Sequence, residues 1–196
     1  HIFNKFNGKQ LKFIPTEETT VKNDFINSLA LYKNTLIYLN TFGSLYSIDS
    51  KNFKINWFAN FKQSLDLNPT NLFYSNPVIV SKDKIIVSTD PYLYVLNIHN
   101  GSIIFKTAIT SIVKPVFSGK YLFIITKDNL LVCINTSTGK IIYSLNISNQ
   151  IADFLDSKKK SISIKSLSLA NDNLLMFLDN SYLVVFNKNG KIVKID

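Results

Sequence analysis

The sequence predicts an all-β fold, a β-propeller of four-stranded antiparallel blades, with about four blades and a partial blade at the N-terminus. Three observations carry that prediction. A strand–turn–strand motif recurs along the chain, and two further strand-like runs precede each full copy. Some of the strands, such as "LYVL" and "LLVCI", are apolar on both faces, as a sheet covered on both sides requires.

The motif is plainest in "LVCINTSTGKIIYSL", Leu131 to Leu145. Two apolar runs rich in strand-forming residues flank a polar bridge. Asn135 can fold its side chain back onto the backbone two residues on, and Gly139 can supply a positive φ at no steric cost. Related stretches begin at Leu45 ("LYSIDSKNFKINWFANF"), Leu93 ("LYVLNIHNGSIIFKTAI") and Leu183 ("LVVFNKNGKIVKI"), and a shortened copy, "IFNKFNGKQLKFI", starts at Ile2.

Each copy ends its first strand in Asp or Asn: Asn4, Asp49, Asn97, Asn135 and Asn187. Glycine follows at Gly8, Gly101, Gly139 and Gly190, with Phe53 in its place once. Four residues later stands an aromatic in the central copies, Trp57, Phe105 and Tyr143, and a lysine, Lys12 or Lys194, in the terminal ones. The aromatics are expected to be buried against the neighbouring blade, so that Trp57→Ala costs about 3 to 5 kcal/mol.

The preceding strands are "SLALY" and "TLIYLN", "NPVIVS" and "KIIVSTD", "KPVFSG" and "YLFIIT", then "IKSLSLA" and "NLLMFLD". The anchoring leucines are spaced 48, 38 and 52 residues apart. In order, residues 1–14 hold the last strands of a partial blade and 15–24 a connection. Full blades follow at 25–61, 73–109, 114–147 and 162–196, all in one propeller domain.

The composition agrees, with 46% apolar residues, fifteen Phe and nine Tyr in 196 residues, enough for a large core. No apolar run approaches the ~18 residues of a spanning helix. All basic residues are lysines, giving a net charge of +9. Arginine, the side chain suited to bidentate contacts with bases and phosphates, is missing, so no nucleic-acid partner is expected. A solvated lysine surface is the default reading and an electrostatic partner site the alternative.

Candidates for chemistry are few. Cys133 alone excludes an intrachain disulfide and a cysteine-based zinc site, and its apolar strand makes it a small buried hydrophobe. His1 is terminal and His99 lies in the turn "NIHNG", which gives poor support for a nucleophile–histidine site. "STDP" at Ser88 to Pro91 and "DFLDS" at Asp153 to Ser157 are weak all-oxygen metal candidates that turn residues explain better. The densest charge run, "SKKKS" at Ser157 to Ser161, lies in the longest connection between repeats. It reads as a solvated loop, with partner contact as the sharper alternative.

These repeats resemble the PQQ-type propeller repeat, whose blade ends in a strand, an Asp or Asn, a Thr-Gly-Lys turn and a strand with Trp. "INTSTGKIIY" and "IDSKNFKINW" match that pattern closely, "LNIHNGSIIF" less well. The resemblance implies one of two branches. Quinoprotein dehydrogenases hold a quinone and calcium and typically carry adjacent cysteines, which this chain lacks. The BamB-like scaffolds of outer-membrane β-barrel assembly are more similar.

The resemblance therefore implies a non-enzymatic protein-binding scaffold in the periplasm, associated with the outer membrane, with no cofactor. Its partners would be other proteins, the barrel-assembly subunits among them, and membrane contact would be indirect or through a lipid anchor outside this sequence. A fragment of a PQQ-dependent dehydrogenase and a ligand-binding propeller are the alternatives. The blade count is about half of an eight-bladed ring, so a fragment of a longer protein is expected. Four blades closing alone, or two chains completing one ring, are the other arrangements. An open half-ring would expose apolar blade faces, which favours self-association.

Overall fold

The computed structural model describes residues 1–15, 27–61 and 73–196. They fall in two compact units, His1–Tyr74 and Ser75–Asp196. The expected connection over 15–24 lies, apart from Pro15, outside the described residues.

In the first unit, β1 (Ile2–Phe3) and β2 (Gln10–Lys12) form a two-stranded antiparallel sheet. The strands β3 (Ser28–Tyr32), β4 (Thr35–Leu39), β5 (Ser44–Asp49) and β6 (Ile55–Asn60) form a four-stranded sheet in chain order.

The second unit holds three such sheets. They comprise β7 (Ile79–Ser81) to β10 (Ile103–Thr107), with β8 (Lys84–Ser88) and β9 (Leu93–Asn97) between. Next come β11 (Val116–Ser118), β12 (Tyr121–Ile125), β13 (Leu130–Asn135) and β14 (Ile141–Asn146). The last is β15 (Ile164–Ala170), β16 (Asn173–Leu178), β17 (Leu183–Asn187) and β18 (Ile192–Ile195). In every sheet hydrogen-bonded neighbours are also neighbours in sequence. The fold class is thus all-β with four-stranded antiparallel blades.

Two cores explain why the middle strands are apolar throughout. Ile86, Leu93 and Val95 of the second blade meet Leu122, Ile124, Val132 and Ile134 of the third. The opposite face of the third blade, Phe123, Ile125, Leu131 and Cys133, meets Leu174, Met176, Val184 and Phe186 of the fourth. Alternate residues of β12 and β13 therefore face different neighbours, and both sets must be apolar. In β17, by contrast, burial alternates: Val184 and Phe186 are buried, Leu183 and Val185 half-buried.

One element departs from an all-strand reading. The helix α1 (Ile147–Phe154) leaves the end of β14, ahead of the Ser157–Ser161 lysine run. Asn146 caps it, its side chain accepting from the Asn149 N–H at 3.0 Å. Ile147 and Ser148 are buried, and Ile151 packs on the core between the third and fourth blades. Of the stretch from Asp153 to Ser157, expected to be turn and loop, Asp153 and Phe154 are instead the end of the helix, while Leu155 to Ser157 form the turn that leaves it. The Leu155 N–H donates to the Ile151 carbonyl at 3.0 Å, and Asp156 reverses the chain with φ of 45°.

Candidate protein-binding surface

The recurrent polar residues hold the turns. The side chain of Asn4, Asp49, Asn97, Asn135 and Asn187 accepts in each case from the backbone N–H two residues on. The same residue's own N–H and carbonyl bond across the turn, as in Asn135 N–H to the Lys140 carbonyl at 2.9 Å and Gly139 N–H to the Asn135 carbonyl at 2.8 Å. The residue at the glycine position has positive φ throughout: 68° at Gly8, 70° at Gly101, 72° at Gly139, 80° at Gly190 and 57° at Phe53. Phe53 thus keeps the turn without the residue best suited to it.

Asp49 is the one carboxylate among these turn heads. The Asn52 and Lys51 N–H groups hold its pKa below the ordinary aspartate value.

Beyond each turn the register slips by one residue. Cys133 pairs with Tyr143 but Ile134 pairs with Ile141, leaving Ile142 as an extra residue. The same slip leaves Asn56, Ile104 and Val193 extra in the other full blades and Leu11 in the N-terminal hairpin. The bulge turns Ile142 outward, 53% exposed, and swings the next side chain toward the following blade.

That next residue is the repeat aromatic, and in the second unit its target is the glycine turn ahead. A Cβ on Gly139 would lie 3.0 Å from Phe105 Cγ, and one on Gly190 would lie 3.1 Å from Tyr143 Cε2. The Tyr143 hydroxyl also donates to the Lys188 carbonyl at 2.9 Å. Burial, reinforced by Cys133 alongside, pushes the Tyr143 hydroxyl pKa up. Trp57, Phe105 and Tyr143 are all half-buried rather than fully buried, because they sit on the outermost strand of their blades. The expected truncation cost of a fully buried tryptophan is accordingly too high for Trp57.

His1 Nδ1 and Gln10 Oε1 are 2.9 Å apart, while His99 is an exposed turn residue whose N–H donates to Asn97 Oδ1. Asp90, joined to Pro91 by a cis peptide bond, pairs with Lys127 at 2.5 Å and accepts from Thr110. The lysine contact lowers its pKa. Cys133 is buried and its thiol pKa is pushed up to about 11 by that burial. Among the described residues no three His, Cys, Asp or Glu side chains gather as a metal site would require.

What the structure does assemble lies beside α1. A small groove is lined by half-buried Ile151, Ala152 and Ile162 and by exposed Leu155, Lys158 and Lys160. The chain reversal at Asp156 carries the lysine run back along the helix. The short helix and this reversal were the features that sequence periodicity missed; the Asn at position 146 is a local signal of the helix start.

Residues 104–196 match the sequence family described as "Outer membrane protein assembly factor BamB". No curated protein matches the chain. Among solved structures it is similar to BamB from Moraxella catarrhalis, at 10% identity and TM-score 0.53, covering 86% of this chain and 62% of that one. It is also similar to the computationally designed Ika4 protein, at 13% identity and TM-score 0.59, covering 89% of this chain and 99% of Ika4. For the designed Ika8 protein the identity is 14% and the TM-score 0.58, covering 82% of this chain and 45% of Ika8. The repeated turn, the bulge and the aromatic contact between blades agree with these likenesses: residues 104–196 resemble PQQ-type, BamB-like repeats, and the chain has the four-stranded blades of a propeller fold.

Proposed function

We propose that the protein is a non-enzymatic scaffold that binds other proteins, a BamB-like component of outer-membrane β-barrel assembly located in the periplasm at the outer membrane. The match of residues 104–196 to the BamB family carries this reading. The blade architecture supports it: the polar residues repeated in each blade are engaged in turns, and variable connections such as α1 and its lysine run are left to meet partners. The subunits that assemble outer-membrane barrels are the partners the reading names.

Crosslinking the full-length protein in its own cells, followed by mass spectrometry of the captured chains, tests this. Recovery of barrel-assembly subunits is expected. Recovery of none of them, together with quinone absorbance in the purified protein, would overturn the reading.

A further inference from the structure

We propose that the groove between α1 and the Ser157–Ile162 segment binds an extended acidic segment of a partner protein, with an apolar side chain seated against Ile151 and Ile162 and carboxylates against Lys158 and Lys160. This rests on the scaffold reading and names the chemistry of its partner.

The groove combines two properties. Its inner residues Ile151, Ala152 and Ile162 are apolar and only half-buried, so they keep surface that a ligand can cover. Its charged lining residues are both lysines, and none of the ion pairs among the described residues includes Lys158, Lys159 or Lys160. Two lysines that make no ion pair among the described residues, set beside a concave apolar strip, complement a segment that alternates acidic and apolar side chains. Position is fixed from beneath: Ile147 and Ser148 are buried and Asn146 caps the helix, so the apolar strip is preorganised.

An anionic membrane surface fits less well. The exposed apolar pair Phe154 and Leu155, 47% and 52% exposed, is bracketed by Asp153 and Asp156. Pressing that pair into an anionic bilayer would bring two carboxylates against its headgroups. Neither aspartate lines the groove.

The test is fluorescence anisotropy of the whole chain with a labelled peptide of glutamates flanking one leucine. Vesicles of phosphatidylglycerol serve as the competing probe. Saturable peptide binding that weakens with salt is expected, and Lys158→Glu/Lys160→Glu should weaken it about tenfold or more. Lys140→Glu, on an exposed turn, should leave it unchanged, and circular dichroism should show both variants folded.

Equal peptide binding by the double variant, no peptide binding at all, or vesicle binding without peptide binding would each overturn the groove assignment. The scaffold reading is judged separately by crosslinking in cells. If partners are captured equally by wild type and double variant, the groove fails and the scaffold stands. If the peptide effect holds while wild type captures no partner, the groove stands and the scaffold fails.

Discussion

The Tyr143 hydroxyl donates to the Lys188 carbonyl at 2.9 Å, tying the outer strand of the third blade to the outer turn of the fourth. The bond is long-range in sequence and sits where the bulge at Ile142 aims the ring. Tyr143→Phe leaves that carbonyl without its partner and should cost about 1 to 2 kcal/mol. Tyr143→Ala also removes a half-buried ring and should cost about 2 to 3 kcal/mol, below the range of a fully buried aromatic. Denaturant unfolding of the two variants checks the order. Equal stability of wild type and Tyr143→Phe would remove the hydrogen bond from the account.

Two glycines with positive φ separate backbone strain from crowding. Gly119, with φ of 63°, has nothing within 4 Å of an added Cβ. Gly119→Ala should therefore cost only the left-handed penalty, about 1 kcal/mol. At Gly190, with φ of 80°, the Cβ would run into Leu145 Cδ1 and lie 3.1 Å from Tyr143 Cε2. The leucine methyl can swing aside, but the tyrosine ring is held by its hydroxyl. Gly190→Ala should cost about 2 to 3 kcal/mol, and the excess over Gly119→Ala should shrink in a Tyr143→Ala background.

Asp49 makes one turn sensitive to acid where its four counterparts are not. Its folded pKa is depressed by the Asn52 and Lys51 N–H groups. The stabilisation is present above the unfolded aspartate value of about 3.9 and is lost as pH falls through the folded value. Asp49→Asn keeps an acceptor that does not titrate. Melting temperatures from pH 6 downward should show wild type losing more than the variant in the acid range; parallel curves would contradict this.

Cys133 should resist thiol reagents in the native state. It is buried, and a thiol pKa of about 11 leaves almost no thiolate near neutral pH. Labelling should become fast only in denaturant, with a midpoint that coincides with the loss of β circular dichroism. Rapid labelling of the folded chain would show that the second unit opens around β13.

The helix depends on its cap. Asn146→Ala removes the side-chain acceptor for the Asn149 N–H and should cost about 1 kcal/mol. Because α1 supplies one side of the groove, the same change should weaken acidic-peptide binding, whereas Gly119→Ala should not.

The blades were legible because their chemistry is local. An Asp or Asn at a strand end and a glycine three or four residues on suffice to write the turn, and Asn135 with Gly139 forms it as read. Phe53 shows how firmly the pattern holds, since it takes φ of 57° without being glycine. The bulges were not legible, because Ile104 and Ile142 look like ordinary strand residues until the partner strand is counted against them. Nor was α1. Ile147, Ile151 and Phe154 stand at helical spacing, but eight residues give periodicity too little length to register. The groove depends on Asp156 adopting a left-handed conformation that no glycine announces.

Strand order has a kinetic consequence. Every four-stranded sheet joins strands that are consecutive in the chain, so no blade waits for a distant segment before its ladder can close. Hairpins of this kind form in about 1–10 μs, far faster than the seconds a ribosome needs to deliver some forty residues at roughly 5–20 per second. Each blade can close as soon as its fourth strand emerges, and within the second unit each offers its apolar face as a template to the next, so the blades can fold in the order in which they are made.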